Sequence, residues 1–548
     1  MRLQAPGWCF VLGTTTAILL SGVGRVSGQV QKQASQALGT VNFPVSCSEQ
    51  AQIQFNHAVA LLHHMTYPGA REAFQQVAKT DPSCAMAHWG IAMTLFQPLW
   101  PTRPTSDELR RGWEAAQNAR ALDPPTRRER LLVDAAAAFF GEPESPDYWQ
   151  RIRRWEKAME SAYTAFPGDT EVAVFYALAH LSAAPPDSTS QANSERAAGL
   201  LLAVYQRNPD HPGAMHYLVH ANDAPARERK SLEITRKYET LAPRNPHALH
   251  MPTHIYTRLG EWKAVISGNM RAAAAALEQP AGDRSQFVWD EFPHAIEYLV
   301  YAHLQMGSDE QAAAQLKRLH GTARLQPTFK TAYHLASTRA RYALERHAWR
   351  EAMSLVPREP ASLNWNRFTW PEAVTWFARG LGAAHQRNVE RVRLAAAHLD
   401  SLETAAGTAG EALFARNIQI LRLGVRAWLA HAQQDTVTSV ALMRKAAELE
   451  AATPKHAVTP APTMPAYELL GDLLLEQGNA AEALAAYRRS LDLYPRRFNS
   501  LLGAARAARR SGDFTRARTL YQELLALAAG ATKRSGVKEA RMFVSIRH

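Results

Sequence analysis

The frame P-x-A-x-H-x-x-x-H occurs twice in this chain, 34 residues apart, at Pro212 to His220 and at Pro246 to His254. A third copy, Pro293 to Tyr301, keeps the frame but carries Glu297 and Tyr301 in the two histidine slots. No other feature limits the fold so strongly. A unit of this length is one helical hairpin, too small to bury its own apolar face, so it must stack on the next copy. Equivalent positions of successive copies then line one wall.

The same period is clearest near the C-terminus. Gly478, Ala483 and Tyr487 are followed 34 residues later by Gly512, Ala517 and Tyr521. Small residues let the two helices of a hairpin approach closely, and the aromatic fills the space between hairpins. Asp81-Pro82, Asn208-Pro209, Asn245-Pro246 and Tyr494-Pro495 read as helix ends with proline just beyond. This grammar resembles the tetratricopeptide (TPR) repeat. The expected fold is an all-α, TPR-type helical-hairpin solenoid of roughly eight to twelve hairpins. Four segments, Phe55 to Ala58, Cys84 to Ala92, His247 to His254 and Phe292 to Tyr301, resemble the signature segments of a family of exported bacterial TPR proteins. The resemblance runs over nearly the whole mature chain. It implies architecture and the importance of these segments, and no reaction.

The N-terminus reads as an export signal: Arg2, an apolar stretch from Trp8 to Leu20, and small residues at Val26-Ser27-Gly28 before Gln29. The expected organisation is a signal peptide at 1–28 and a flexible segment at 29–46. A degenerate solenoid at 47–452, a linker at 453–465, C-terminal repeats at 466–530 and a tail at 531–548 follow. No later stretch approaches the ~18 apolar residues of a membrane span, so the mature chain is expected to be periplasmic or secreted. Signal removal leaves Cys47 and Cys84, 37 residues or about one repeat apart. An even count in an oxidising compartment favours a disulfide, with free thiols or thiolate ligands as the alternatives. The formal net charge of +12 comes mainly from arginines scattered along helices. Without a dense basic block or a nucleic-acid motif, it reads as solvated helix faces, and no nucleic-acid partner is expected.

An i, i+4 pair puts both imidazoles on one helix face. Adjacent parallel helices lie about 8–10 Å apart, so His216/His220 and His250/His254 can converge on one or two cations. Glu297 is expected as a further ligand or base, and Tyr301 as donor to a bound group. Four histidines and a carboxylate exceed one tetrahedral shell, leaving an open position or a second ion. Tyr176 with His180, and His57, His63, His64 and His88, are candidate extensions of the site. Asp223 is placed to orient a histidine through its second nitrogen. Copper suits an exported, thiol-poor site and zinc nearly as well. The sequence therefore points to a transition-metal protein with a small molecule or peptide in its concave groove. An oxidoreductase or a hydrolase is compatible with the pattern, and whether the chain is an enzyme stays open. The competing reading is an envelope scaffold that docks a peptide or protein partner.

Overall fold

The computed structural model describes residues 38–546, apart from 101–102, 143, 146, 186, 188, 280, 282–285 and 531–532. The expected signal peptide lies outside the described residues. Among them the chain is helical throughout, with no strand beyond isolated bridges at Ala281–Phe287 and Val288–Leu325. Successive helices pack on one another as antiparallel hairpins, from Glu49–His63 to Ser535–Ser545. Gly260, Gly307, Gly478 and Gly512 each end the first helix of a hairpin at positive φ, between 66° and 85°. Left-handed backbone is what glycine supplies at a helix end without steric cost. Tyr487 fills the space between hairpins, and a Cβ at Gly471 or Gly503 would come within 2.7 or 2.3 Å of its ring.

Contacts also join helices far apart in sequence. Helix α1 (Glu49–His63) touches α2 (Pro212–Asn222), and the helix Glu291–Gln305 touches Phe498–Arg510. The second junction is ionic: Arg497 pairs with Glu345 at 2.8 Å and Glu468 at 2.9 Å, all buried. Cys47 and Cys84 are disulfide-bonded with Cα atoms 5.0 Å apart, which ties the start of the solenoid together.

The expected flexible segment, linker and tail all contain packed residues among those described. In the expected flexible segment, Phe43 is buried against Phe55 and Trp89, and the Ser46 amide donates to Glu129 at 2.6 Å. The expected linker is not a spacer. Val458, Ala461 and Met464 are buried, Lys455 pairs with Asp223 at 2.8 Å, and Arg341 donates to the Ala461 and Pro462 carbonyls at 2.9 Å. Its prolines deny it helical hydrogen bonds, and the interior satisfies its carbonyls with side-chain donors. The expected tail contains the helix Ser535–Ser545, which buries Val537, Ala540 and Phe543.

Candidate metal centre

Five short helices supply the side chains. In α2, Pro212 opens the helix and the His211 ring caps it, Nδ1 accepting from the Ala214 amide at 3.1 Å. The next pair, α3 (Pro246–His250) and α4 (Pro252–Leu259), is one helical run broken at Pro252, which has no amide hydrogen to give. Asn245 caps α3, accepting from the Ala248 amide at 2.9 Å. Helix α5 (Glu291–Gln305) and helix α6 (Phe329–Leu344, capped by Thr328) complete the set.

These helices gather two histidine triads. His216, His220 and His247 form one, and His250, His254 and His294 the other; within each, one nitrogen per residue lies within 4.8 Å of the other two. The triads adjoin, with ring centroids 6.0 Å apart for His220–His254 and 6.2 Å for His247–His250. All six rings are buried except His220, which is partly open. Burial pushes the imidazoles of His216, His220, His250 and His294 well below the usual histidine range, and His254 to about 4. At neutral pH these rings carry no charge.

Their outer partners fix where each proton sits. His250 Nδ1 donates to Asn269 Oδ1 at 2.7 Å, an oxygen rather than the amide nitrogen because Asn269 Nδ2 itself donates to the Val265 carbonyl. His254 Nδ1 donates to Asp223 at 2.8 Å, His216 Nδ1 to the His63 carbonyl at 2.6 Å, and His247 Nδ1 to Glu291 at 3.2 Å. His334 gives its Nδ1 proton to Glu297, and its Nε2 meets His294 Nδ1 at 2.9 Å. A neutral imidazole has one proton. His216, His250 and His254, kept uncharged by burial, therefore each turn an unprotonated Nε2 to the interior. His216 Nε2 and His247 Nε2 meet at 3.1 Å, and His250 Nε2 and His254 Nε2 at 2.9 Å. Neither His250 nor His254 has a proton to donate across its contact. His220 Nε2 is buried without any partner. Tyr298, its phenol held protonated by burial, puts its hydroxyl 3.3 Å from His254 Nε2.

A third group, His63, Glu171 and His211, is equally close but differs chemically. The two Nε2 atoms donate to the two oxygens of Glu171 at 2.9 and 3.0 Å. The remaining nitrogens accept, His63 from Tyr217 at 3.2 Å and His211 from the Ala214 amide. The two imidazoles hold the Glu171 carboxyl well below the usual range against its burial. Every proton and lone pair here is matched. This is a packing network, and it places the His63 carbonyl under His216.

The six triad members include all four histidines picked out by the repeat frame. The structure does not bring Glu297 and Tyr301 to either triad. Glu297 stands one residue removed, bonded to His334 and 3.4 Å from Arg341. The Tyr301 hydroxyl accepts from Arg497 at 3.0 Å, and the Arg341 guanidinium stacks on its ring, so it belongs to the junction with the C-terminal repeats. Tyr176 is bonded to Glu160 and His180 to Glu156. His57 is exposed and His88 half-buried, both apart from the triads. His64 is satisfied by Tyr238 and the Leu38 carbonyl. The residues missed are His247, His294, Tyr298 and His334. A signal existed: the second slot of the frame is histidine in two copies, Pro246-His247-Ala and Pro293-His294-Ala, and Ala332-x-His334 repeats the first histidine slot. In the first copy that second slot is Gly213, where a Cβ would lie 2.5 Å from His63 Nδ1.

His220 opens onto a cavity of about 540 Å³, lined also by Asp223, Arg258, Tyr333, Trp370 and Lys455. Trp100, another lining residue, packs against His247 with ring centroids 5.3 Å apart.

The fold and repeats define a TPR-type solenoid, and residues 468–532 match the family described as "Tetratricopeptide repeat". Comparison with curated proteins finds no match. Among solved structures, a monomeric IFIT1 mutant with Gppp-AAAA is similar at 13% identity and TM-score 0.37, covering 91% of this chain and 100% of that one. A human IFIT1 dimer with m7Gppp-AAAA is similar at 13% and 0.35, with coverage of 91% and 100%. The Cut9–Hcn1 hetero-tetramer of the APC/C is similar at 11% and 0.28, with coverage of 90% and 96%. Likenesses this loose carry no argument about what this chain binds. No helix among the described residues is long and apolar enough to cross a membrane.

Proposed function

We propose that this chain is an exported metalloenzyme with a dinuclear transition-metal centre, copper or zinc, each ion held by one histidine triad. The observation that carries the reading is the facing of unprotonated His250 Nε2 and His254 Nε2 at 2.9 Å, beside a second close approach of Nε2 atoms, His216 and His247, at 3.1 Å. Between the uncharged rings of His250 and His254 this contact is repulsive and desolvated, the arrangement that buried polar groups avoid. A cation bound at about 2.0–2.1 Å from each nitrogen turns the repulsion into ligation. The outer bonds from Nδ1 to carboxylate or carbonyl are those that orient a ligating imidazole and raise its basicity.

The bound ions would supply Lewis-acid or redox chemistry. Three imidazoles per ion leave a coordination position open to a substrate or to water. Tyr298 would hold a phenolic proton beside the site, its hydroxyl 3.3 Å from His254 Nε2, available to a bound group. His220 is the way in, since it alone among the six faces the cavity. Export is supported by the N-terminal apolar stretch and by the disulfide, which oxidising compartments maintain. A peptide-docking scaffold is the competing function, favoured by the C-terminal TPR repeats. A peptide in the interior would have to displace the buried segment 453–465.

Elemental analysis of the purified mature protein tests the proposal. It predicts two equivalents of copper or zinc per chain, and about one after His220→Ala or His294→Ala. Metal at background level, or unchanged in both variants, would reject it. Mass spectrometry of the secreted protein should find Gln29 as its first residue.

A further inference from the structure

The cavity beside His220 has a chemistry of its own. One wall is aromatic: Tyr333 and Trp370 lie 4.7 Å apart by ring centroids, Trp370 and Phe414 5.6 Å. Next to His220 it is cationic. Arg258 and Lys455 share one carboxylate, Asp223, at 2.9 and 2.8 Å, and Asp223 also accepts from His254. Their side chains are only 8% exposed, so the charges are little screened by water. The other lining charges balance. Arg103 is neutralised by Glu411 through two bonds of 3.0 Å, and the remaining lining charges, Asp187 and Arg489, are one of each sign. Glu450 is pushed up to about 8 by burial and is uncharged at neutral pH. One positive charge beside His220 is thus left without a counter-ion. The bonds of Arg258 use Nε and Nη2, and those of Lys455 use Asp223 and the Thr459 carbonyl, which leaves Nη1 and one ammonium hydrogen to give. The volume suits a small molecule rather than a peptide.

We infer that this cavity binds a small aromatic carboxylate, its ring against Tyr333, Trp370 and Phe414 and its carboxylate at Lys455 and Arg258. The inference deepens the proposed metal site by naming its substrate class, and rests on that reading for what happens to the ligand once bound. An anion here meets the unbalanced charge, and ions in the triads, held by neutral ligands, would add to it.

Calorimetric titration of the full-length mature protein with benzoate and with benzyl alcohol tests the assignment. Metal content and circular dichroism are measured on the same samples. Benzoate should bind at least about tenfold more tightly than benzyl alcohol, the value of a charge-assisted hydrogen bond. Lys455→Met should abolish that preference, and Trp370→Leu should weaken both ligands about fivefold. Equal affinity for the two probes in the wild-type protein, or a preference that survives Lys455→Met, overturns the inference. A protein without metal that still prefers benzoate keeps the cavity assignment and removes the metal reading. A metal-loaded protein indifferent to the carboxylate does the reverse.

Discussion

His250 Nε2 and His254 Nε2 lie 2.9 Å apart, and each ring has already committed its proton elsewhere, to Asn269 and to Asp223. The Tyr298 hydroxyl can donate to one of these nitrogens but not to both. A second close approach of Nε2 atoms, 3.1 Å, joins His216 and His247 on a different pair of helices. Two such contacts in one interior, beside a third cluster whose donors and acceptors all match, distinguish a ligand set from a packing arrangement.

The outer partners should control metal affinity without touching metal. Asp223→Asn and Glu297→Gln each weaken the hold on the proton of a histidine Nδ1, the latter through His334. Each should reduce affinity for zinc or copper about 10–100-fold in competition with a chelator. The folded helical content should remain. Unchanged affinity in both variants would mean that the tautomers are not set as described.

Glu171 provides the contrast. Its two oxygens each accept from a histidine, so Glu171→Gln replaces one acceptor by a donor facing a donor. With a buried partner left unsatisfied, the variant should lose roughly 1–3 kcal/mol of stability to urea. Its metal content should match the wild type. A loss of metal with stability unaltered would move this cluster into the metal site.

Glu450 gives a pH signature. Its carboxyl is raised in the folded protein to about 8 by burial, above its ordinary value. The folded state therefore binds the extra proton, and this stabilisation is full below about pH 4 and lost as pH rises through about 8. Glu450→Gln cannot ionise. It should match the wild type at pH 4 and exceed it by more than about 1 kcal/mol at pH 9, by chemical denaturation. A constant difference across that range would contradict the assignment.

Much of this was legible in the sequence. The glycines that close the first helix of each hairpin fix the register, and the register brings His216, His220, His250 and His254 into one interior. Glu297 and Tyr301 failed because a slot in a repeat frame specifies a helix face, not what the neighbouring hairpin places opposite it. In α5 the slot that reaches the triads is that of His294, while the faces of Glu297 and Tyr301 meet His334, Arg341 and Arg497. His334 comes from a copy without the frame's proline. The segment 453–465 looked like a linker because prolines and threonines suit loops, and composition does not report burial. Its role in the interior depends on Lys455 and Arg341 meeting partners more than a hundred residues away.

The central claim is that two ions sit among the six histidines, and anomalous diffraction from crystals of the metal-loaded protein tests it most directly. Two peaks are predicted, one in each triad, each about 2.0–2.1 Å from three imidazole nitrogens. No peak at the triads, or metal bound only at surface histidines such as His57, would contradict the account.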